Sequence, residues 1–140
     1  MCSQKEVTAA IIEKNGKILI AQRATGGSEV GGWEFPGGKI EPGETPEECL
    51  ARELWEEFGI KVQVGEFFTD TIYNYGGGSI HLLAYWVHWN GKEELELRVH
   101  ETVQWVEPGE LLRYRLLPAD VPIAQEILKR TGVGRTKPES

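Results

Sequence analysis

The sequence predicts an α/β (α+β) fold, an α/β/α sandwich built on a mixed β-sheet. Segments with the composition of strands outnumber the helical segments. One helix lies between the early and the late strands, so we expect a mixed sheet with helices on both faces. A chain of 140 residues that is 40% hydrophobic and 26% charged has the size and composition of one globular domain.

The predicted strands begin with a hairpin. Residues 7–12 and 17–23 are rich in β-forming residues, and Asn15-Gly16 between them suits the positive φ angles of a type I′ turn. After the first helix, further strands are predicted, separated by Gly76-Gly77-Gly78 and Asn90-Gly91. These later strands are residues 62–68, 71–75, 80–89, 95–99 and 103–106.

The first helix has clear signals at both ends. Thr45 and Glu48 have the spacing of a capping box, and Pro46 stands at the first helical position, where its missing N–H costs little. Gly59 suits the position just past the end, because glycine readily adopts a left-handed conformation. The sequence therefore predicts a helix from about residue 46 to residue 58.

The second helix is predicted at residues 121–130, with Asp120 as its N-cap and Gly132 as its stop. Glycine and proline are scattered between apolar segments, and no linker divides the chain. We therefore expect a single domain over residues 1–132 and a flexible C-terminal tail over residues 133–140.

Composition limits the function and the cellular location. The net charge of −7 argues against a protein that binds the phosphates of a nucleic-acid polymer, which calls for a basic surface. We expect a cytoplasmic protein without a membrane partner, because the N-terminus lacks a signal-peptide pattern and no apolar run approaches about 20 residues. Cys2 and Cys49 have neither metal-ligand nor disulfide spacing, so we expect reduced thiols.

The first helix places three carboxylates close together. Glu53, Glu56 and Glu57 stand at positions i, i+3 and i+4, so their side chains are neighbours on consecutive turns. A solvated acidic face is the common explanation for such glutamates. These like charges repel, however, and Arg52 is the only cation on the helix. The apolar face that we expect to be buried consists of Leu50, Ala51, Leu54, Trp55 and Phe58.

A glycine turn precedes this helix and adds backbone oxygens to the carboxylates. The carbonyls of Gly37 and Gly38 are hard oxygen ligands, as are the three glutamates. An oxygen-only ligand set favours Mg²⁺, for which Mn²⁺ can substitute. Such an ion would also let an acidic protein bind a polyphosphate.

Residues 38–60 resemble the complete Nudix box. The matching positions are Gly38, Glu44, Arg52-Glu53-Leu54, Glu56-Glu57 and Gly59-Ile60. The flanking segment at residues 33–46 is similar to the MutT-like branch of that family, which removes oxidised nucleoside triphosphates from the nucleotide pool. The likeness extends from Val7 to about Lys129.

The resemblance implies roles for the residues of the box. Glu53, Glu56, Glu57 and the carbonyl of Gly37 would hold the metal ion, and Arg52 and Glu44 would orient the helix and its carboxylates. Glu53 is the first candidate for the general base that takes a proton from the attacking water. Glu101, which we expect in a loop, resembles a later acidic position of the family and is the alternative.

Substrate contacts are also implied by the resemblance. Arg23 and Phe35 match positions that contact the nucleotide in MutT relatives, and Gln125 aligns with an asparagine that reads the base edge. Lys39 is a further cation for the phosphates. The remaining candidates lie in the same glycine-rich segment: Glu34, Pro36, Gly37 and Gly38.

The implied activity is hydrolysis of a (d)NTP to the monophosphate and diphosphate, with 8-oxo-dGTP as one candidate substrate. The segment at residues 117–122 also resembles the branch that hydrolyses CTP and modified cytidine triphosphates. Hydrolysis of a diphosphate such as ADP-ribose is an alternative reaction, and a nucleotide-sensing module without catalysis is a non-enzymatic one. A small nucleotide is the expected partner, and the chain could be a monomer or a homodimer.

Overall fold

The computed structural model describes residues 3–23 and 32–131. Within these ranges the chain forms six strands, two α-helices and two short 3₁₀ segments. The strands are β1 (Ser3–Lys14), β2 (Lys17–Arg23), β3 (Trp33–Glu34), β4 (Gln63–Tyr75), β5 (Gly78–His88) and β6 (His100–Val106). The helices are α1 (Pro46–Phe58) and α2 (Val121–Thr131), and the 3₁₀ segments are Pro108–Arg113 and Pro118–Asp120.

The strands form one mixed sheet, as predicted. Its order is β3-β2-β1-β5-β4, and β6 also pairs with β2. β1 and β5 run parallel, whereas the other neighbouring strands are antiparallel. The predicted turn between β1 and β2 is confirmed, because φ is 55° at Asn15 and 79° at Gly16.

The sheet opens between β1 and β2, and a loop fills the opening. The two strands pair only at Glu13 and Lys14 in the described part of the chain. Three backbone hydrogen bonds of 2.7 to 2.9 Å join β1 to residues 36–40 instead. The donor–acceptor pairs are Thr8 N–H to the Gly38 carbonyl, Ala10 N–H to the Pro36 carbonyl and Ile40 N–H to the Glu6 carbonyl. The glycine turn is therefore fixed by the main chain of β1.

Helices cover opposite faces of the sheet. Alternate residues of a strand point to opposite faces, so Ala9 and Ile11 belong to one core cluster and Ala10 and Ile12 to the other. The first cluster packs against α2 through Ile123, Ala124 and Ile127. The second packs against α1 through Leu50, Leu54 and Phe58. This arrangement confirms the predicted sandwich.

Helix α1 has the predicted ends but a narrower buried face. The Thr45 side chain accepts from Glu48 N–H and the Glu48 side chain accepts from Thr45 N–H, each at 3.0 Å, and Gly59 has φ of 69°. The prediction that Trp55 is buried was wrong, because its side chain is 47% exposed. Trp55 instead lies near two cations, with Lys61 Nζ and Arg98 Cζ each 5.9 Å from its ring.

Three strand predictions were wrong in detail. Residues 63–75 form one strand rather than two. This strand pairs with β5 from end to end, and two register shifts in its first half absorb the irregularity. Residues 95–99 form no strand and instead pack on the end of α1. The two-residue strand β3 was not predicted, since it is too short to show a periodic pattern.

Several predictions concern residues beyond the described ranges. These are Cys2, the helix stop at Gly132 and the tail at residues 133–140. Among the described residues, Cys49 is a free and buried thiol. None of the described helices is long and apolar enough to cross a membrane.

His81 on β5 lies between carboxylates of the two neighbouring strands. Its Nε2 is 2.6 Å from Asp70 Oδ2 on β4, and its Nδ1 is 3.2 Å from Glu6 Oε2 on β1. The hydrogen bond with Asp70, followed by that with Glu6, raises the pKa of His81 above its ordinary value of 6.5. The protonated ring therefore stabilises the folded state fully below the unfolded pKa, and this contribution is lost as pH rises through the folded pKa.

Replacing His81 with glutamine should lower the melting temperature by about 1–4 °C near pH 5.5, because exposed ion pairs contribute up to about 1 kcal/mol. The loss should be smaller near pH 8.5, because the contribution of the protonated ring falls as pH rises through the folded pKa. Thermal unfolding followed by circular dichroism measures both values. His88→Gln, at the exposed end of the same strand, is the control. Equal losses at the two pH values would contradict the prediction.

Candidate active site

Arg52 holds several carboxylates at the surface of α1. Its guanidinium donates to both oxygens of Glu44, at 2.6 and 2.9 Å. Its Nη1 also donates to Glu53 at 3.0 Å and to Glu56 at 3.3 Å. The bidentate hydrogen bonds of Arg52 lower the pKa of Glu44 to about 2. One cation therefore fixes the turn before the helix and two of the three carboxylates that are predicted metal ligands.

Glu57 is the third carboxylate, and it is buried beside Glu53. Burial, followed by a hydrogen bond with Glu53, raises the pKa of Glu57 to about 9. Its Oε1 is buried and has no hydrogen-bond partner among the described residues. A buried carboxylate oxygen without a donor is costly unless a cation or a proton satisfies it.

The glycine turn lies directly against these carboxylates. A Cβ built on Gly38 would overlap the carboxylate of Glu53, and one built on Gly37 would overlap the Thr8 carbonyl of β1. The carbonyls of Pro36 and Gly38 accept hydrogen bonds from β1, whereas the Gly37 carbonyl accepts no backbone hydrogen bond from the described residues. The Gly37 carbonyl is thus available to another ligand.

These features fit a divalent cation. The donors are all oxygens, one carboxylate oxygen is buried without a partner, and the glycine turn leaves no room for side chains. No group of three His, Cys, Asp or Glu side chains in the described ranges already has the spacing of a metal site. Glu53 and Glu56 are turned towards Arg52 instead, so ion binding would require them to exchange this partner.

A cavity of about 470 Å³ opens beside Glu57. This volume is within the range of small-molecule sites. Its polar lining consists of Arg23, Glu34, Gly37, Gly38, Lys39, Glu57, His100 and Asp120. Its apolar lining includes Phe35, Tyr73, Ile80, Leu82, Val99, Leu117, Pro118 and Ala119. A carboxylate patch and a half-apolar cavity therefore adjoin each other.

Glu34 is held at the cavity wall by two partners. Arg23 Nε donates to its Oε1 at 3.1 Å, and His100 Nε2 is 2.8 Å from its Oε2. His100 is buried, and its ring stacks on Phe58 of α1 with centroids 5.2 Å apart. Its Nδ1 has no partner among the described residues. His100 thus joins Glu34 to the end of the helix that carries the carboxylate patch.

Asp120 adds another carboxyl group to the cavity. It immediately precedes α2, as the capping prediction requires, but its side chain is buried and accepts from the backbone N–H of Phe35. Burial, followed by the negative charge of Glu34, raises the pKa of Asp120 well above its ordinary value. The raised pKa favours the protonated carboxyl, which has one O–H donor and one carbonyl acceptor.

The structure brings most of the predicted substrate residues together. Arg23, Glu34, Phe35 and Lys39 line the cavity with the two glycines, whereas Pro36 is buried beside it and bonds to β1. Two candidates lie elsewhere: Gln125 is exposed on α2, and Glu101 is exposed on β6 rather than in the expected loop. Neither contributes to the cavity lining.

Sequence reasoning missed two cavity residues, His100 and Asp120. The sequence pattern around Asp120 indicated only a helix cap, and no pattern singled out His100. The one available signal was that Asp120 lies within residues 117–122, the segment that resembles the branch that hydrolyses CTP. Both residues reach the cavity through long-range packing that no local pattern reveals.

Comparison with known proteins identifies the family. The model of the NUDIX domain matches residues 3–130. The chain is 44% identical over 124 residues to the CTP pyrophosphohydrolase of Escherichia coli (strain K12), covering 88% of this chain and 90% of that protein. It is 40% identical to the putative 8-oxo-dGTP diphosphatase 2 of Mycobacterium tuberculosis, covering 81% of each.

Solved structures agree with this relationship. The solution structure of the E. coli ORF135 protein has a TM-score of 0.82 at 39% identity, covering 97% of this chain and 96% of the other. The solution structure of MutT from methicillin-resistant Staphylococcus aureus 252 has a TM-score of 0.75 at 36% identity, covering 93% and 99%. The chain therefore belongs to the Nudix family and is a hydrolase of phosphoric anhydride bonds.

Proposed function

We propose that this enzyme hydrolyses a nucleoside triphosphate to the monophosphate and diphosphate, using Mg²⁺ or, in its place, Mn²⁺. Nudix hydrolases generally depend on a divalent metal. One observation carries the proposal: Glu57, whose buried Oε1 has no hydrogen-bond partner among the described residues, lines a cavity whose other polar groups include Glu34 and Asp120. If the phosphate chain of the nucleotide binds at the carboxylate patch, its base lies near the carboxyl groups of Glu34 and Asp120.

The residues of the patch have different roles in the proposed reaction. Glu53, Glu56, Glu57 and the Gly37 carbonyl would hold the ion, which lowers the pKa of bound water and neutralises phosphate charge. Glu53 would accept the proton of the attacking water, and Arg52 orients that carboxylate until the ion binds. Hydrolysis then breaks the anhydride bond between the α and β phosphoryl groups.

The cavity supplies binding contacts for the rest of the nucleotide. Arg23 and Lys39 bring positive charge to the phosphates. Asp120 and Glu34 add carboxyl groups to the cavity wall, and the raised pKa of Asp120 favours a form with a donor beside an acceptor. Every base has an acceptor beside a donor on its pairing edge, for example N3 and N4 of cytosine or O6 and N1 of guanine, so Asp120 supplies a contact to the base but does not by itself select one base.

We rank cytidine triphosphates first and 8-oxo-dGTP second. The first rank rests on the relative at 44% identity, which is a CTP pyrophosphohydrolase. The second rank rests on two further relatives: a putative 8-oxo-dGTP diphosphatase at 40% identity and an 8-oxo-dGTP diphosphatase at 35% identity. In both cases the substrate is a free nucleotide, consistent with the net charge of −7.

A substrate panel tests the proposal directly. The panel contains CTP, dCTP, GTP, 8-oxo-dGTP and ADP-ribose, each assayed with Mg²⁺ for kcat/KM and with product identification. We expect monophosphate and diphosphate as products and the highest kcat/KM for a cytidine triphosphate. Release of inorganic phosphate with a nucleoside diphosphate, or a preference for ADP-ribose, would contradict the proposal.

Glu53→Gln should reduce kcat by about 10²–10⁴-fold, because loss of a general base has this magnitude. The amide keeps the size of the side chain, so the melting temperature should change little. Steady-state kinetics at saturating Mg²⁺ measure the effect. Glu101→Gln is the matched control, because Glu101 is exposed on β6. A large loss in Glu101→Gln with a small loss in Glu53→Gln would reverse the assignment of the base.

Alanine at Gly37 and at Gly38 should have different consequences. The Cβ at Gly38 meets a flexible carboxylate, so Gly38→Ala should displace Glu53 and cost activity more than stability. The Cβ at Gly37 meets the backbone of β1, which cannot turn away, so Gly37→Ala should mainly lower the melting temperature. Paired measurements of kcat and thermal unfolding separate the two effects. Equal behaviour of the two variants would count against the described packing.

Asp120→Leu should lower kcat/KM for the preferred base by about 10- to 100-fold, since an unmatched buried polar contact costs about 1–3 kcal/mol. Leucine is close to aspartate in size but offers neither a donor nor an acceptor, so discrimination between bases should narrow. Gln125→Ala is the control, because Gln125 is exposed on α2. If Gln125→Ala changed base preference and Asp120→Leu did not, the base would be read from α2 instead.

A further inference from the structure

Helix α1 carries its negative charges at the end where they are least favourable. The C-terminal end of a helix has partial negative charge, and carboxylates there are repelled by it. Glu53, Glu56 and Glu57 all stand in the second half of α1, and its last turn contains no basic residue. The helix end that supplies the proposed metal ligands therefore needs positive charge from elsewhere in the chain.

A separate segment caps this end of α1. The last carbonyls of a helix lack partners within the helix. In α1 the Trp55 carbonyl still accepts from Gly59 N–H at 2.9 Å, so the carbonyls that need other donors are those of residues 56–58. Glu96 N–H donates to the Phe58 carbonyl at 2.9 Å, and Arg98 N–H donates to the Glu57 carbonyl at 3.3 Å. The cap is therefore built by residues 96–98, which the sequence had suggested to be part of a strand.

The Arg98 side chain completes the cap. Its Nη1 donates to the Trp55 carbonyl at 3.1 Å and to the Glu56 carbonyl at 3.4 Å. Its Nε donates to Glu96 Oε1 at 2.8 Å, which holds the guanidinium in this direction. The carbonyls of residues 56–58 all receive donors from this segment, and a positive charge stands at the negative end of the helix.

Gly59 allows this segment to approach. Besides its left-handed φ of 69°, a Cβ at this position would come within 2.9 Å of Arg98 Nη2 and 3.2 Å of the Glu96 carboxylate. The glycine at the end of the box therefore provides both the turn and the space for the cap. Arg52 cannot replace Arg98, because its guanidinium is already bound to Glu44, Glu53 and Glu56.

We propose that Arg98 is a positioning residue, which fixes the turn of α1 that carries Glu56 and Glu57 before the metal ion binds. The proposal rests on the metal-dependent function described above. Arg98 touches neither the cavity nor the three carboxylates in the described contacts, and it acts through the backbone carbonyls of residues 55–57. Its effect should therefore appear in metal affinity and helix protection rather than in substrate binding.

The first measurement uses the metal-free full-length protein. Amide hydrogen exchange at residues 56–59 should accelerate by about 5- to 10-fold in Arg98→Ala, because the lost cap has the size of a helix-terminus charge interaction. Amides of β1 should exchange as in the wild type. Arg98→Lys should recover part of the protection, since it keeps the charge but not the forked donors. Arg113→Ala is the control, because Arg113 pairs only with Glu110 across an exposed 3₁₀ turn among the described contacts.

The second measurement is Mn²⁺ binding, followed by electron paramagnetic resonance. Arg98→Ala should raise the Mn²⁺ dissociation constant by about 5- to 10-fold, whereas KM for the nucleotide at saturating metal should stay unchanged. Faster exchange with unchanged Mn²⁺ affinity would show a merely structural cap and overturn the proposal. Equal effects in Arg98→Ala and Arg113→Ala, or no effect in either, would overturn it too. Failure of the wild type to bind Mn²⁺ would instead overturn the proposed function.

Discussion

The structure depends on keeping three carboxylates of one helix close together. Their mutual repulsion is unfavourable, and the helix backbone adds to it at its C-terminal end. Arg52 offsets part of this cost by binding Glu53 and Glu56 directly. Glu57 avoids the repulsion in another way. Burial raises its pKa to about 9, so that in the metal-free protein its carboxyl group can stay protonated and uncharged. Different members of the patch are thus stabilised by different physical means.

The surrounding fold makes this patch rigid on both sides. On one side, the glycine turn is bonded to β1 where β1 and β2 separate, and Gly38 contacts Glu53. On the other side, His100 stacks on Phe58 and bonds to Glu34, which lines the cavity. The patch and the cavity therefore share a wall, and neither can shift far without disturbing the other.

Local features were predictable from the sequence because they depend on neighbouring residues. The Asn15-Gly16 turn, the Thr45 and Glu48 capping box and the positive φ of Gly59 all belong to this class. The clustering of Glu53, Glu56 and Glu57 follows from helix geometry alone. The mixed sheet followed from the order of strands and helices. These predictions required no knowledge of distant contacts.

Features that depend on packing between distant segments were not predictable. Trp55 has an apolar side chain on the predicted buried face, yet Lys61 and Arg98 rather than a core lie beside it. Asp120 was interpreted as a cap because its contact with the Phe35 amide joins residues far apart in sequence. Residues 95–99 have a strand-like composition, but the backbone N–H groups of Glu96 and Arg98 donate to carbonyls at the end of α1 instead of to a neighbouring strand. In each case a long-range contact overrode the local pattern.

The attachment of the glycine turn through main-chain atoms has a consequence for the diversification of such enzymes. The turn contributes only main-chain atoms to these bonds, such as the carbonyls of Pro36 and Gly38 and the N–H of Ile40, so they do not depend on the turn's own side chains. Side chains outside the turn, those of Thr8, Cys49 and Arg52, donate to the same carbonyls or to that of Lys39. Lys39, between two of these anchors, is exposed and borders the cavity. Selection could therefore alter Lys39 to suit a new nucleotide while the reaction centre keeps its shape.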